Sequence, residues 1–209
     1  MSLKTPVSIG EALDKLSILD IKLDLIKDQR RQFVQVEYDL LYNQVQEFIQ
    51  QQNQLYKMLK NINLVIWHEM DQLRDGVLMD ETYCKLCRKT MMDNDIRFRI
   101  KNKINNACRS DLKEQKGYKK TSIFLDCSQN QDIKTVYFFI QYFSVRYDET
   151  IVLTSFLKLQ EIFSYDYSIL FTTNKDVQIK TVSIPDEPIH KILDELEIPH
   201  EELEIYKFS

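Results

Sequence analysis

Glycine is almost missing from this chain: 209 residues contain three, Gly10, Gly76 and Gly117. That scarcity excludes functions built on a glycine-rich phosphate loop, where backbone N–H groups reach a pyrophosphate only because no Cβ intervenes. Histidine is as rare, and His68, His190 and His200 stand apart from any Ser or Cys in a nucleophile setting, so no catalytic triad is expected. No apolar run of about 18 residues occurs, so no membrane-spanning helix is expected. The opening MSLKTPVSIGEAL lacks the apolar stretch of a secretory signal. The four cysteines, Cys84, Cys87, Cys108 and Cys127, therefore read as reduced thiols of a cytoplasmic protein. Cys84-x-x-Cys87 lies inside a helical pattern and lacks the two further ligands that zinc needs, so packing thiols are expected, with no metal and no cofactor. A net charge of −4 gives no global signature of a nucleic-acid binder.

What is present is a helical half followed by an alternating half. Ser8-Ile9-Gly10-Glu11 is a capping box. Ile9, Leu13, Leu16, Leu19, Leu23 and Ile26 follow it at helical spacing. From about residue 31 to 75 runs a pattern without Gly or Pro, with Val34, Tyr38, Leu41, Val45, Phe48, Gln52, Leu55, Leu59, Ile62 and Ile66 at alternating four- and three-residue steps. This is a heptad seam with one polar member, Gln52, where either a core glutamine fixes register or a helical hairpin bends. Asp75-Gly76 is a stop signal. A third helix is expected over 79–92, and a fourth from Asn94, capped by Asp93-Asn94-Asp95 and ended by Gly117. Beyond Gly117 the period changes. Short strands are expected at 122–126, 150–154, 168–172 and within 177–184, separated by helices at 132–147 and 156–163 and followed by two short helices near the C-terminus. The expected fold is α+β: a helical domain (1–118) with a long-helix hairpin or bundle, then a small α/β domain (119–209) on a mainly parallel sheet.

Charge is unevenly spread. Basic residues dominate from Arg97 to Lys120, opposed only by Asp111 and Glu114, and the segment 186–204 is acidic. These are either solvated faces or an anion-binding groove on the basic side. Within the basic stretch, Asn94, Arg97, Lys101 and Asn105 share one helical face. Such a face suits phosphate or sugar hydroxyls, and it suits equally an internal pairing with acids of the first helix such as Asp14 or Asp20. After the first strand, Asp126-Cys127-Ser128-Gln129-Asn130 stands where open α/β sheets place ligands. With no glycine it reads as a turn whose Ser128 or Asn130 caps the next helix.

Val7-Ser8-Ile9-Gly10-Glu11, Asp14-Lys15-Leu16, Ile18-Leu19 and Ile21-Lys22 resemble the opening of a bacterial and viral family catalogued only as domain of unknown function six-one-six-five. The resemblance continues at Trp67, Asp71-x-Leu73-Arg74, Leu86-x-Arg88, Asn94-Asp95-x-Arg97, Ile100-Lys101, Ile104-Asn105, Ser110 and Glu114-x-Lys116-x-Tyr118. Met70, Gln115 and Gly117 depart from its usual pattern. The resemblance implies no reaction. It implies a companion of surface-polysaccharide glycosyltransferases, and its recurrent polar residues map onto Asp14, Lys15, Lys22, Asn94, Asp95, Arg97, Lys101, Asn105 and Lys116. The resulting expectation is a non-catalytic scaffold or accessory protein of glycan biosynthesis. It would act as a homodimer or on a helix-bound partner protein, without nucleic acid. The alternative is a glycosyltransferase-like enzyme or a module binding a nucleotide-sugar or sugar phosphate on the Arg97/Lys101 face.

Overall fold

The computed structural model describes residues 5–117 and 119–206. Tyr118, one of the resemblance positions, lies outside them. The chain divides into two compact units, Met1–Gln115 and Lys116–Ser209.

The first unit holds four helices: α1 (Ile9–Leu25), α2 (Arg31–Gln51), α3 (Asn53–Arg74) and α4 (Asp80–Ala107). The Ser8 hydroxyl accepts from the backbone N–H of Glu11 at 3.1 Å, as a capping box requires. α1 packs against the other three helices, and α3 against α4. The apolar positions of α1 form the centre, with Leu13 and Leu16 fully buried, as are Leu59 of α3 and Ile100 and Ile104 of α4. The stretch 31–75 is not one helix. Gln52 leaves helical geometry at φ −123° and ψ 39° and separates α2 from α3. Along α2 the seam positions Val34, Tyr38, Leu41, Val45 and Phe48 are half-buried or buried; along α3 Leu55, Leu59 and Ile62 are buried, but so are Tyr56, Met58, Asn63 and Glu69 beside the seam, while Ile66 is only half-buried. Gly76, at φ +68°, ends α3.

α4 corrects the expected pair of helices. It runs unbroken through Asp93-Asn94-Asp95. Asp93 caps nothing there; its carboxylate accepts from Lys89, one turn earlier, at 2.7 Å, which neutralises an acid in mid-helix. The C-terminus falls at Ala107, ten residues before Gly117. Arg109 adopts the left-handed region at φ 53°, and the N–H of Ser110 returns to the carbonyl of Asn105 at 2.8 Å, closing the helix in the manner of a Schellman motif.

The second unit holds β1 (Ser122–Asp126), α5 (Ile133–Ser144), β2 (Glu149–Leu153), α6 (Leu157–Ile162), β3 (Ile169–Phe171), β4 (Thr181–Ser183), α7 (Ile189–Glu195) and α8 (Glu202–Tyr206). The sheet order is β3-β2-β1-β4 with every pairing parallel. β1 is central, with Phe124 beside Ile151 on one side and Thr181 on the other. Ile123, Phe124 and Leu125 are all buried, as a strand covered on both faces demands. Arg146 ties the tail back onto α5. Its guanidinium lies 3.5 Å from the Tyr142 ring centroid and donates to Glu202 at 3.0 Å and to the Tyr206 hydroxyl at 3.3 Å. Among the described residues no helix is long and apolar enough to cross a membrane.

Candidate functional site

The start of a helix leaves four N–H groups without intrahelical partners. In α1 the side chains of the same unit take three of them. Ile9 donates to the Ser110 hydroxyl at 3.2 Å, Gly10 to Oδ1 of Asn105 at 2.7 Å and Glu11 to Ser8. The N–H of Ala12 reaches the Ser8 carbonyl. α1 thus begins by docking onto the last turns of α4, and the close approach is possible because residue 10 is glycine. A Cβ there would stand 2.9 Å from Asn105 Oδ1 and closer still to the Lys101 carbonyl.

One turn further, Asp14 is 2% exposed. Arg97 grips both its oxygens, Nε to Oδ1 at 2.8 Å and Nη2 to Oδ2, and Asn63 of α3 donates to Oδ1 at 2.9 Å. Asn63 also donates to Ser17 at 2.8 Å. The Asp14 carboxylate raises the Arg97 pKa above its ordinary value. Lys101 lies between Glu11 at 2.8 Å and Glu114 at 2.7 Å. Burial works against its ammonium, but the two carboxylates outweigh it and raise its pKa. The cluster therefore sets two cations against three carboxylates. It cross-links α1, α3 and α4, and both cations are held by carboxylates.

Asp14, Arg97, Lys101 and Asn105 are brought together. Asn94 stands at the exposed rim, its Oδ1 3.5 Å from Arg97. Lys15 pairs instead with Glu37 of α2 at 2.7 Å, at the surface. Lys22, on the half-buried flank of α1, joins no ion pair among the described residues. Asp95, two positions from Arg97, lies on another face of α4. Lys116 belongs to the second unit. Asp20 receives Lys60 at 3.2 Å and the Tyr56 hydroxyl, not Arg97. Glu11, Asn63, Ser17 and Glu114 join the cluster although the sequence alone does not mark them for it. The capping box gives Glu11 a role of its own, yet its carboxylate turns to Lys101. Asn63 falls one residue from the seam position Ile62, and only the packing of α3 reveals its role.

A second polar knot joins α3 and α4. Lys89 bonds both Glu69 and Asp93. Glu69 is 4% exposed, and burial, with Asp93 beside it, raises its carboxyl pKa against the opposing pull of Lys89.

In the second unit, the loop after β1 fills its own crevice. Asp126 accepts from the N–H and hydroxyl of Ser128 at 3.0 and 2.6 Å. The fully buried Asn130 donates to the Pro185 carbonyl at 2.6 Å and accepts from the N–H of Asp132. The cap of α5 is Asp132, not Ser128 or Asn130; it accepts from the N–H groups of Lys134 and Thr135. The N–H groups of Ser128, Asn130, Gln131, Asp132, Lys134 and Thr135, and the Ser128 hydroxyl, are thereby occupied within the chain.

The cysteines separate by position: Cys127 is buried, which raises its thiol pKa, Cys87 is half-buried and Cys84 is exposed, so Cys84 is not a packing thiol. No group of three or more His, Cys, Asp or Glu able to hold a metal occurs among the described residues.

Residues 3–132 match a family described as a family of unknown function, DUF6165. No curated protein and no solved structure matches the chain.

Proposed function

The chain belongs to the DUF6165 family, and from that premise we propose that it is a non-catalytic binding or scaffold protein whose α2 pairs with a second copy of the chain. The observation that carries this reading is how little of α2 is buried. Of its many apolar and aromatic residues only Val45 is buried. Phe33, Val36 and Leu40 are 72%, 61% and 64% exposed and form a ridge at three- and four-residue steps. A ridge of that kind marks an interaction surface. Antiparallel pairing with a second α2 covers it, with opposed helix dipoles.

The finer parts of the proposal have separate supports. Work beside glycan assembly is what the family resemblance implies. A location inside the cell suits four thiols, one of them exposed at Cys84. The alternative, a nucleotide-sugar or sugar-phosphate site on the Arg97/Lys101 face, has against it the three carboxylates that already hold those cations.

Light scattering of the purified protein at tens of micromolar tests the pairing. The expected mass is twice the 25.1 kDa of one chain. The double variant Phe33→Glu/Leu40→Glu is expected to run as a monomer with unchanged helical circular dichroism. A monomeric wild type, or a dimer that survives both charges, sinks the reading.

A further inference from the structure

Beside the turn between α1 and α2 lies a shallow, wide-open notch of about 640 Å³. Trp67 of α3, with Leu25 at the end of α1 and Ile26 of the turn, supplies an apolar wall. The rim is polar: Lys27, Asp28 and Arg30 from the turn, His68 and Asp71 from α3. Arg30 and Asp28 cancel one another in a forked pair, with Nε 3.0 Å from both carboxylate oxygens and Nη2 2.7 Å from Oδ2. Asp71 has only a long contact to Arg74 at 3.8 Å and keeps acceptor capacity, and Lys27 joins no ion pair among the described residues. Two cations thus face two carboxylates around an indole.

We infer that this notch binds a neutral, polyhydroxylated ring, of the chemistry of an uncharged mono- or disaccharide. A pyranose presents one face of C–H groups, which lies on an indole and on aliphatic side chains, and an edge of hydroxyls that both donate and accept. Balanced charge at the rim gives no preference for an anion such as a phosphorylated ligand, and Asp71 and Lys27 supply one acceptor and one donor to the hydroxyl edge. The inference stands apart from the pairing of α2. It rests on the composition of the notch alone.

Trp67 is the one tryptophan of the chain, so intrinsic emission reads this site directly. The full-length protein is titrated with maltose, cellobiose and N,N′-diacetylchitobiose, and in parallel with glucose 1-phosphate and galacturonate. The expected result is a saturable emission change with at least one neutral disaccharide, weaker or absent with the charged probes. Asp71→Asn is expected to weaken it about tenfold, as a charge-assisted hydrogen bond becomes a neutral one. Trp67→Phe is expected to abolish the corresponding heat in calorimetry. Asp71 is exposed, so its variant keeps the test open should Trp67→Phe fold poorly. The Phe33→Glu/Leu40→Glu variant is expected to bind as the wild type does, which separates this site from the pairing. No saturable change with any neutral probe, tighter binding of a charged one, or binding indifferent to Asp71→Asn overturns the inference.

Discussion

Gly10 stands where α1 comes closest to α4, and its role shows how one atom governs the helical unit. Its N–H reaches Asn105 at 2.7 Å, and a methyl group at its Cα has nowhere to go but into the Lys101 carbonyl and that same amide. Backbone cannot yield as a flexible side chain does, so α1 would have to retreat from α4 and stretch the bonds from Asp14 to Arg97 and from Glu11 to Lys101. Gly10→Ala is expected to cost about 1–3 kcal/mol, the usual range for forced overpacking, even though alanine is the better helix former. Urea denaturation of the two proteins measures it, and an unchanged midpoint would show that the helices separate without loss. The sequence makes part of this legible. Arg97, Lys101 and Asn105 fall on one face by spacing alone, and an acid on α1 was an expected partner. That Asp14 and not Asp20 takes Arg97, and that Glu11 leaves the capping box for Lys101, depends on how the helices cross, which no single-helix pattern encodes.

Among the elements, end signals are legible where side chains act on their own backbone and obscure where they act across helices. Ser8 caps α1 because its hydroxyl needs only the next turn. Asp93 has the chemistry of a cap, yet Lys89, itself held by the α3 residue Glu69, gives its carboxylate a partner inside a continuous α4. The strands were legible as short apolar runs between turn residues. Their order was not, since the chain's return from β3 at one edge to β4 at the other leaves no local mark. The expected cap of α5, Ser128 or Asn130, is neither: Ser128 turns back to Asp126, Asn130 is buried against the Pro185 carbonyl, and Asp132 takes the position. Asp132→Ala is expected to cost about 1 kcal/mol, since the carboxylate accepts from two backbone N–H groups and the Thr135 hydroxyl. Burial opposes its charge, but those bonds outweigh it and hold its pKa below the ordinary 3.8. A carboxyl lowered in the folded state contributes its full stability above the unfolded value, and that contribution is lost as pH falls through the folded one. The stability gap between wild type and Asp132→Ala should therefore be full at neutral pH and close as the pH drops below 3.8. Parallel denaturation series at neutral and strongly acidic pH check it, and a gap that ignores pH would assign the cost to something other than the carboxylate.

At the scale of the molecule, each unit has a core of its own. The helical unit centres on Leu13, Leu16, Leu59, Ile100 and Ile104, and the α/β unit on Ile123, Leu125, Phe138, Phe139, Val152 and Phe163, all at most 1% exposed except Phe163 at 2%. The family match nevertheless runs to residue 132, past the last residue of the first unit and through β1. Two readings of that overlap differ in what they predict. If the matched region is the folding unit, β1 depends on the helices and the remaining strands cannot close a sheet without it. If compactness defines the folding unit, residues 116–209 carry everything their sheet needs: β1 at its centre, both of its neighbours, α5 across it and the Arg146 clamp that holds the tail. We favour the second, since hydrophobic cores define independently folding domains more directly than the reach of sequence similarity. The fragment 116–209 is expected to unfold cooperatively on its own, with mixed helix and strand circular dichroism. The full chain should show two separable transitions in calorimetry, only one of them moved by Gly10→Ala. A fragment without cooperative unfolding would make β1 a dependant of the helical unit.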